Sequence, residues 1–274
     1  MATIRHKKYI GYSTLLFIWL IVVAYVINTI IFKGEIFILM AFGLAILFLT
    51  ILITARNLQD IIIEKKNETV AISDGWNLFY ATYPLQLHLP LITSFTIAPD
   101  FAFILIKTIQ TRKPKTILEL GSGRTTLIAA AYLKQNGLQG KIISVDGDKE
   151  YLEQCRYFAT LNGLESYIQF VHAPITEQVI NKKTYNWYNE DMLPKEQFDL
   201  LLIDGPPEKV GVLSRYPALP LLIQYAAEHA VILADDAGRP DMIITAQHWQ
   251  KEFPKFQQQY IQTLRGTLII NVDV

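Results

Sequence analysis

The chain has 274 residues, and its 25 lysines and arginines balance its 25 aspartates and glutamates, so the formal net charge is +0. This balance argues against a nucleic-acid partner, which a protein usually holds with a basic face. The single cysteine, Cys155, excludes an internal disulfide framework and a cysteine-rich zinc site. Hydrophobic residues make up 51% of the chain, a share that is high for a soluble domain and indicates membrane spans.

Two apolar runs predict a pair of transmembrane helices at residues 10–32 and 36–54. Neither run contains a charged residue or a histidine, and each reaches or approaches the roughly 20 residues needed to cross a bilayer. A cleaved signal peptide, the alternative for the first run, would have an apolar core of only roughly 7–15 residues. Residues 1–54 are therefore interpreted as a hairpin that anchors an enzyme, because a transport path would need ionisable side chains within the spans.

Basic side chains lie outside both runs and indicate the orientation of the hairpin. They precede the first run or follow the second at Arg5, Lys7, Lys8, Arg56, Lys65 and Lys66. The short connection between the runs has Lys33 as its one basic residue. By the positive-inside rule, both ends of the hairpin and the rest of the chain are predicted to lie in the cytoplasm.

The part of the chain after the hairpin divides into an extension and a domain. Residues 55–98 are predicted as a juxtamembrane helix, at 55–68, followed by a loop-rich aromatic extension. A helix with an apolar face follows at residues 100–112, and Lys113 before Pro114 ends it. Residues 99–274 are predicted to form the catalytic domain.

A strand, a glycine turn and a helix follow one another at residues 117–134. Glycines let a ligand approach the backbone, and the start of a helix offers unpaired N–H groups. No lysine follows the glycines as in a phosphate-binding P-loop, and Thr126 stands where a dinucleotide site has its third glycine. The remaining pattern, ELGSG from Glu119 to Gly123, resembles motif I of the class I S-adenosylmethionine (SAM) methyltransferases.

An acidic residue follows the second predicted strand, residues 141–145. Asp146 lies about 20 residues past the glycines, where an acid binds ribose hydroxyls in such folds. Asp148 is the alternate for this role. The competing interpretation is a turn or N-cap carboxylate for the helix predicted at residues 149–162.

Three more strands are predicted to lie in the same sheet, at residues 167–171, 198–203 and 230–234. Polar or small residues follow them, namely His172 and Ala173, Asp204, and Asp235 with Asp236. Residues 176–196 have little periodic order and are interpreted as a lid or a connecting excursion. The remaining predicted elements are helices at residues 219–229 and 241–252 and an antiparallel hairpin of residues 260–263 and 267–272.

This order of elements resembles the class I SAM methyltransferase domain. The resemblance implies a Rossmann-like, doubly wound α/β sheet of seven strands with the last one antiparallel. The segments ELGSGRTT, IDGPP, RYPALPLL and LADDAGR resemble more closely a group of bacterial methyltransferases with an N-terminal membrane or coiled segment. That group has no well-defined acceptor, so the resemblance implies the fold and the cofactor only.

The resemblance also places SAM at the carboxyl ends of the strands, where ligands of open α/β folds lie. In this family the end of the third strand lies against the adenine, which assigns His172 and Ala173 to the cofactor. A purely structural histidine is the competing interpretation. The candidate cofactor-binding residues are Glu119, Gly121, Ser122, Gly123, Asp146, Asp148, His172, Ala173 and Asp204.

A divalent cation is a second implication. Metal-dependent catechol-type O-methyltransferases bind one through an Asp after the fourth strand and an Asp-Asn pair after the fifth, and Asp204, Asp235 and Asp236 stand at similar positions. Carboxylates suit Mg²⁺ better than zinc. Asp236 where Asn is usual and the rigid segment GPP after Asp204 count against the metal. Without a metal, Asp204 is the candidate catalytic base, and Asp235 or Asp236 could pair with Arg239.

Candidate acceptor-binding residues complete the predicted site. Arg215 and Arg239 could bind an anionic acceptor or form structural ion pairs, while Trp187, Tyr188 and Tyr216 could line a pocket or pack in the core. The predicted function is a membrane-anchored SAM-dependent methyltransferase that acts on oxygen of an unidentified small-molecule, lipid or glycan acceptor. The alternative is an inactive SAM-binding or Rossmann-like membrane scaffold. Nothing in the sequence indicates the oligomeric state.

Overall fold

The computed structural model describes residues 36–89 and 97–272, together with six helical positions between residues 19 and 27. The chain divides into two compact units, Met1–Ala71 and Ile72–Val274. Apart from those six positions, the first predicted span, residues 10–32, lies outside the described residues. The two-span hairpin and its orientation therefore stay predictions.

One long helix, α1 (Ile36–Thr82, 47 residues), contains the second predicted span. Within the described part of the chain it is the one helix long and apolar enough to cross a membrane, with a mean hydropathy of 1.7 over its most apolar window, none of which is buried. The helix continues through residues 69–82, so the prediction of a loop-rich segment there is wrong. Burial explains the difference, because Trp76 and Phe79 in its last turns enter the core of the second unit.

The second unit is an α/β domain. Its helices are α2 (Pro99–Arg112), α3 (Arg124–Gln135), α4 (Lys149–Leu161), α5 (Ala218–Leu222) and α6 (Pro240–Glu252). Its strands are β1 (Thr116–Leu120), β2 (Lys141–Asp146), β3 (Ile168–His172), β4 (Ile175–Ile180), β5 (Lys183–Tyr188), β6 (Phe198–Ile203), β7 (Ala226–Ala234), β8 (Gln257–Ile261) and β9 (Thr267–Asn271).

Seven of these strands form one sheet in the order β3-β2-β1-β6-β7-β9-β8. Strands β1, β2, β3, β6 and β7 pair in parallel, and β9 runs antiparallel to both of its neighbours. Apolar side chains of the strands are buried on both faces, against α2, α3 and α4 on one face and against α5, α6 and the β4–β5 hairpin on the other. The predicted Rossmann-like sheet with a closing antiparallel hairpin is thus confirmed.

Two segments differ from the predicted elements. Residues 176–196 contain the two-stranded sheet β4–β5, joined at Asn181 and Lys182, which both have positive φ angles of 51° and 64°. Two such residues match a type I′ hairpin turn, and lysine in place of the usual glycine hid this turn in the sequence.

The helix predicted at residues 219–229 is also shorter than expected. Helix α5 ends at Leu222, and β7 begins at Ala226, which pairs with Phe198 of β6. The alanines, Glu228 and His229 at the start of β7 have no preference for strands. Pairing with a neighbouring strand overrides their intrinsic propensity.

Candidate functional site

The carboxyl ends of β1, β2, β6 and β7 meet at one edge of the sheet. Strand register places Leu120 beside Val145 and Ile203, and Ile203 beside Ala234. The residues that follow these strands therefore come together, as the sequence predicts. They are Gly121, Asp146, Asp204 and Asp235.

The turn after β1 passes close to the turn after β6. Gly121 has a φ of +101°, and a Cβ atom there would lie 3.0 Å from the backbone nitrogen of Gly205. Only glycine fits this position without displacing the neighbouring turn. Gly123 differs, because a Cβ atom there would meet nothing within 4 Å. The start of α3 therefore borders open space.

Glu119 lies beneath this turn and is fully buried. Its Oε2 accepts hydrogen bonds from the hydroxyls of Ser144, at 2.8 Å, and Thr126. Its Oε1 has no partner among the described residues. Burial raises the pKa of Glu119 to about 7, against the opposing effect of the hydroxyl donors. This carboxyl group is therefore partly protonated at neutral pH.

Asp146 joins the turns after β1 and β2. Its Oδ2 accepts a hydrogen bond from the backbone N–H of Ser122 at 2.9 Å, and its Oδ1 accepts one from that of Asp148 at 2.8 Å. Burial raises the pKa of Asp146. The Asp148 side chain instead caps α4 by accepting from the N–H groups of Glu150 and Tyr151, as the competing interpretation predicts.

His172 and Ala173 lie at the end of β3, beside Asp146. His172 pairs with Asp146 in the strand register, and its Nε2 lies 3.3 Å from the carbonyl oxygen of Gly147. Ala173 is fully buried, and its N–H donates to the carbonyl oxygen of Asp146 at 2.9 Å. Both residues therefore border the predicted ribose acid.

Three carboxylates converge after β6 and β7. Asp204, Asp235 and Asp236 each offer an oxygen, and these oxygens lie within 4.8 Å of one another. Burial raises the pKa of Asp204 to about 7 and that of Asp235 to about 8, and neighbouring carboxylates add to both shifts. Within the described residues, both Asp235 carboxylate oxygens and Oδ1 of Asp236 lack a hydrogen-bond partner.

Arg215 lies among these carboxylates. Its Nη2 is 3.2 Å from Oδ1 of Asp204 and 3.2 Å from Oδ2 of Asp236, and its Nη1 donates to the backbone carbonyl of Asp235 at 2.8 Å. Arg239 pairs with the same Asp236 oxygen at 3.0 Å. Both arginines therefore form structural ion pairs, one of the two roles considered for them from the sequence. The other role, binding an anionic acceptor, stays a prediction.

The three candidate aromatic residues are buried. Tyr216 donates its hydroxyl to Glu252 at 2.5 Å and packs in the core. Trp187 is fully buried, and its Nε1 has no partner in the described part of the chain. Tyr188 lies at the site itself, since a Cβ atom on Gly205 would fall 2.2 Å from its hydroxyl oxygen. Burial and the charge of Asp146 raise the pKa of Tyr188 well above its usual value.

Sequence reasoning missed three residues at this edge. Thr126 and Ser144 hold Glu119 in place, and Arg124 begins α3 directly after the glycine turn. Thr126 and Arg124 belong to the segment ELGSGRTT, so the sequence does place them next to the glycine turn. It does not place their partners, because the partners come from distant parts of the chain.

Residues 118–237, which include the carboxyl ends of β1, β2, β3, β6 and β7, match a protein family described as "Methyltransferase domain". The chain carries a methyltransferase domain. None of the curated proteins matches the chain.

Several solved structures have the same fold as this methyltransferase domain. The Podospora anserina methyltransferase PaMTH1, solved with S-adenosylhomocysteine (SAH), has a TM-score of 0.52 and 14% identity over 74% of this chain and 88% of its own. A Bacillus cereus O-methyltransferase in complex with SAH has a TM-score of 0.51 and 14% identity, and the match covers 74% of this chain and 91% of that protein. The Streptomyces achromogenes O-methyltransferase TomG in complex with SAM has a TM-score of 0.52 and 13% identity, and the match covers 74% of this chain and 90% of that protein. At these identities the likeness concerns the fold.

Proposed function

We propose that this methyltransferase domain uses SAM and transfers its methyl group to an oxygen atom of the acceptor. The observation that carries the proposal is the edge where Asp146 and the open glycine turn meet, at the start of α3. The structural relatives solved with SAM or SAH have the same fold and support this choice of cofactor.

The residues of this edge suit the parts of SAM. Asp146 would accept hydrogen bonds from the ribose hydroxyls, while His172 and Ala173 would border the adenine. The backbone N–H groups at the start of α3 would face the amino-acid end. SAM supplies an electrophilic methyl group, and the protein's main contribution is to align the acceptor with it and to exclude water.

Without a bound cation, Asp204 is the proposed base for an acceptor hydroxyl. Its side chain keeps 20% exposure, unlike the buried Asp235 and Asp236, so an acceptor can reach it. A carboxyl group with a pKa of about 7 accepts a proton more readily at neutral pH than an ordinary aspartate does.

The three carboxylates would also fit a hard divalent cation. The unpartnered oxygens of Asp235 and Asp236 are the ligand type that Mg²⁺ prefers, and a cation would compensate the cost of burying them. Arg215 already neutralises part of this charge. We therefore expect Mg²⁺ to raise the thermal midpoint of the wild-type chain and to have no such effect on Asp235→Asn, whose amide offers the cation no charge. An equal response of both proteins would place the cation elsewhere.

Membrane attachment is the second part of the proposal. The unburied apolar surface of α1 supports an anchor. With the predicted first span, residues 10–32, as its partner, the positive-inside rule would put both chain ends and the catalytic domain on the cytoplasmic side. An anchored enzyme suits an acceptor that is itself in the membrane, such as a lipid or a lipid-linked glycan. Efficient turnover of a soluble catechol-like compound by the detergent-solubilised enzyme would count against this acceptor class.

Calorimetry of the full chain in detergent tests the cofactor. We expect the wild type to bind SAM and SAH, with and without Mg²⁺. Gly121→Ala should lose about 5- to 150-fold in affinity, because the turn must move to relieve the strain of its positive φ, which costs roughly 1–3 kcal/mol. Gly211→Ala is the matched control, since the nearest atom to its Cβ would be 3.5 Å away. A wild-type chain that binds neither compound would refute the proposal and favour an inactive scaffold.

A further inference from the structure

Arg124 is a buried arginine at the edge of the proposed cofactor site. It is the first residue of α3 and follows Gly123 directly. Its exposed fraction is 8%. None of the roles assigned above to the residues of this edge uses its side chain.

The surroundings of the Arg124 guanidinium are aromatic. Its Cζ lies 4.8 Å from the ring centroid of Trp76, and its Nη2 donates to the hydroxyl of Tyr80 at 3.4 Å. Its buried Nε has no partner among the described residues. No ion pair joins Arg124 to a carboxylate in that part of the chain.

A buried guanidinium without a carboxylate is costly, because the loss of hydration is not repaid by an opposite charge. Arg215 provides the comparison within this domain. It is buried to a similar extent, with 6% exposure, and pairs with two carboxylates. The cation–π contact with Trp76 offsets only part of the cost for Arg124. Its environment therefore suits an anionic ligand group.

The backbone at the same place also favours an anion. The first N–H groups of a helix have no acceptor within the helix, and the helix dipole adds positive potential there. Space for a ligand exists, since a Cβ atom on Gly123 would touch nothing within 4 Å. SAM has one anionic group, the carboxylate of its amino-acid end.

We propose that Arg124 binds the carboxylate of SAM and that Trp76 and Tyr80 are positioning residues for its guanidinium. This inference rests on the proposed function. Trp76 and Tyr80 belong to the last turns of α1, so the end of that helix would take part in cofactor binding. The amino-acid end of SAM would then be held by charge, and the ribose by Asp146.

Four ligands separate this role from general damage to the site. SAM and SAH carry the carboxylate, decarboxylated SAM lacks only that group, and 5′-methylthioadenosine lacks the whole amino-acid end. We expect Arg124→Gln to weaken SAM and SAH about 10- to 100-fold, the range for one charge-assisted pair, and to leave the other two within about twofold. Calorimetry of the full chain in detergent measures all four.

Two further variants complete the experiment. Arg124→Lys keeps the charge without the planar fork, so we expect an intermediate loss of affinity for SAM and SAH and no loss for the two ligands without the carboxylate. Arg156→Gln is the matched control, because Arg156 also lies over an aromatic ring, Phe170, at 4.9 Å, yet pairs with Glu153. It should leave all four affinities unchanged.

The outcomes are distinct. Equal weakening of all four ligands by Arg124→Gln, or no weakening of SAH, would overturn the assignment of Arg124 while leaving the proposed function intact. A wild-type chain that binds none of the four would refute the proposed function, and this inference with it.

The positioning role has its own test. Trp76→Phe keeps an aromatic face for the guanidinium, whereas Trp76→Leu keeps bulk and removes the face. We expect Trp76→Leu to weaken SAH several-fold without weakening 5′-methylthioadenosine, and Trp76→Phe to restore most of the loss. Equal effects of the two substitutions, or loss of both ligands, would mean that Trp76 serves packing alone.

Discussion

Glu119 is a carboxylic acid with no exposure to water, at the centre of the proposed cofactor site. Burial raises its pKa from 4.5 to about 7. The folded protein therefore binds this proton more tightly than the unfolded chain does. Its contribution to stability is fully present below about pH 4.5 and is lost as the pH rises through about 7.

We expect Glu119→Gln to reduce the pH dependence of stability between about pH 5 and 8, to which the raised pKa values of Asp204 and Asp235 also contribute. The amide carries no charge, and its oxygen can still accept the hydrogen bond from Ser144. A shift of this size corresponds to about 3 kcal/mol, so the variant should be the more stable protein at pH 8. Thermal unfolding of the full chain in detergent, followed across this pH range, measures the effect.

The control is Glu153→Gln, which changes an exposed glutamate paired with Arg156 on α4. Its unfolding midpoint should follow the wild type at every pH. If Glu119→Gln also followed the wild type, the buried carboxyl group would not titrate as its environment indicates.

The close approach of Gly205 to Tyr188 can also be tested by substitution. A Cβ atom at Gly205 would lie 2.2 Å from the Tyr188 hydroxyl oxygen. We expect Gly205→Ala to cost about 1–3 kcal/mol through overpacking, and Tyr188→Phe in the same chain to recover part of it. Unfolding midpoints of the two single variants and the double variant measure this coupling. Strictly additive effects would mean that the hydroxyl is not the obstacle.

The acids of this site were predictable and their partners were not. Asp146, Asp204 and Asp235 each follow an apolar strand, and parallel strands end at one edge, so the pattern brings them together. The partner Arg215 lies before the short helix α5, and its placement among the carboxylates depends on how that helix packs. No local pattern in the sequence carries this information.

At the scale of elements, the end of α1 packs into the domain through aromatic rings. Phe79 is fully buried, with ring centroids of Trp76 and Tyr80 at 5.4 Å and that of Phe103 of α2 at 5.2 Å. The sequence predicts a loop here because aromatic and polar residues alternate irregularly. Tertiary burial of one face is what makes these residues helical.

We expect Phe79→Ala to destabilise the folded domain by about 3–5 kcal/mol, since it removes a large buried ring. The neighbouring Leu78 has an exposed fraction of 61% and provides the matched control. Leu78→Ala should change the free energy of unfolding by less than about 0.5 kcal/mol. Similar losses in the two variants, measured by thermal unfolding, would contradict the packing of this helix end.

The central strands were easier to predict than the excursions beside them. Strand β6 begins and ends at the predicted residues, because an apolar run bounded by turn residues has few other interpretations. The β4–β5 hairpin has weak alternation and an unusual turn pair, and β7 begins with residues that favour a helix. In both segments long-range packing decides the structure.

At the scale of the whole molecule, the two compact units have different surfaces. Large apolar side chains are exposed along α1, at Phe42, Leu44, Phe48, Ile51 and Leu52 among others. The second unit buries its apolar residues in two cores. This contrast agrees with the proposed membrane anchor.

Orientation in the membrane can be tested with one introduced thiol. Cys155 is the single cysteine and is buried, and burial raises its pKa to about 12, so it should react poorly with maleimides. Val212 in the second unit has an exposed fraction of 79%. We expect Val212→Cys to be labelled by an impermeant maleimide only after cells are opened, with the wild-type chain as the control. Labelling in intact cells would place the domain on the outer side.

The position of β9 bears on how the protein is made. This strand follows β8 in the chain but lies between β7 and β8 in the sheet. While the ribosome is still synthesising residues 267–271, β7 has an open edge and β8 has no strand beside it. A stalled or shortened nascent chain would expose both to aggregation, so the domain should depend on chaperones until translation passes this last strand.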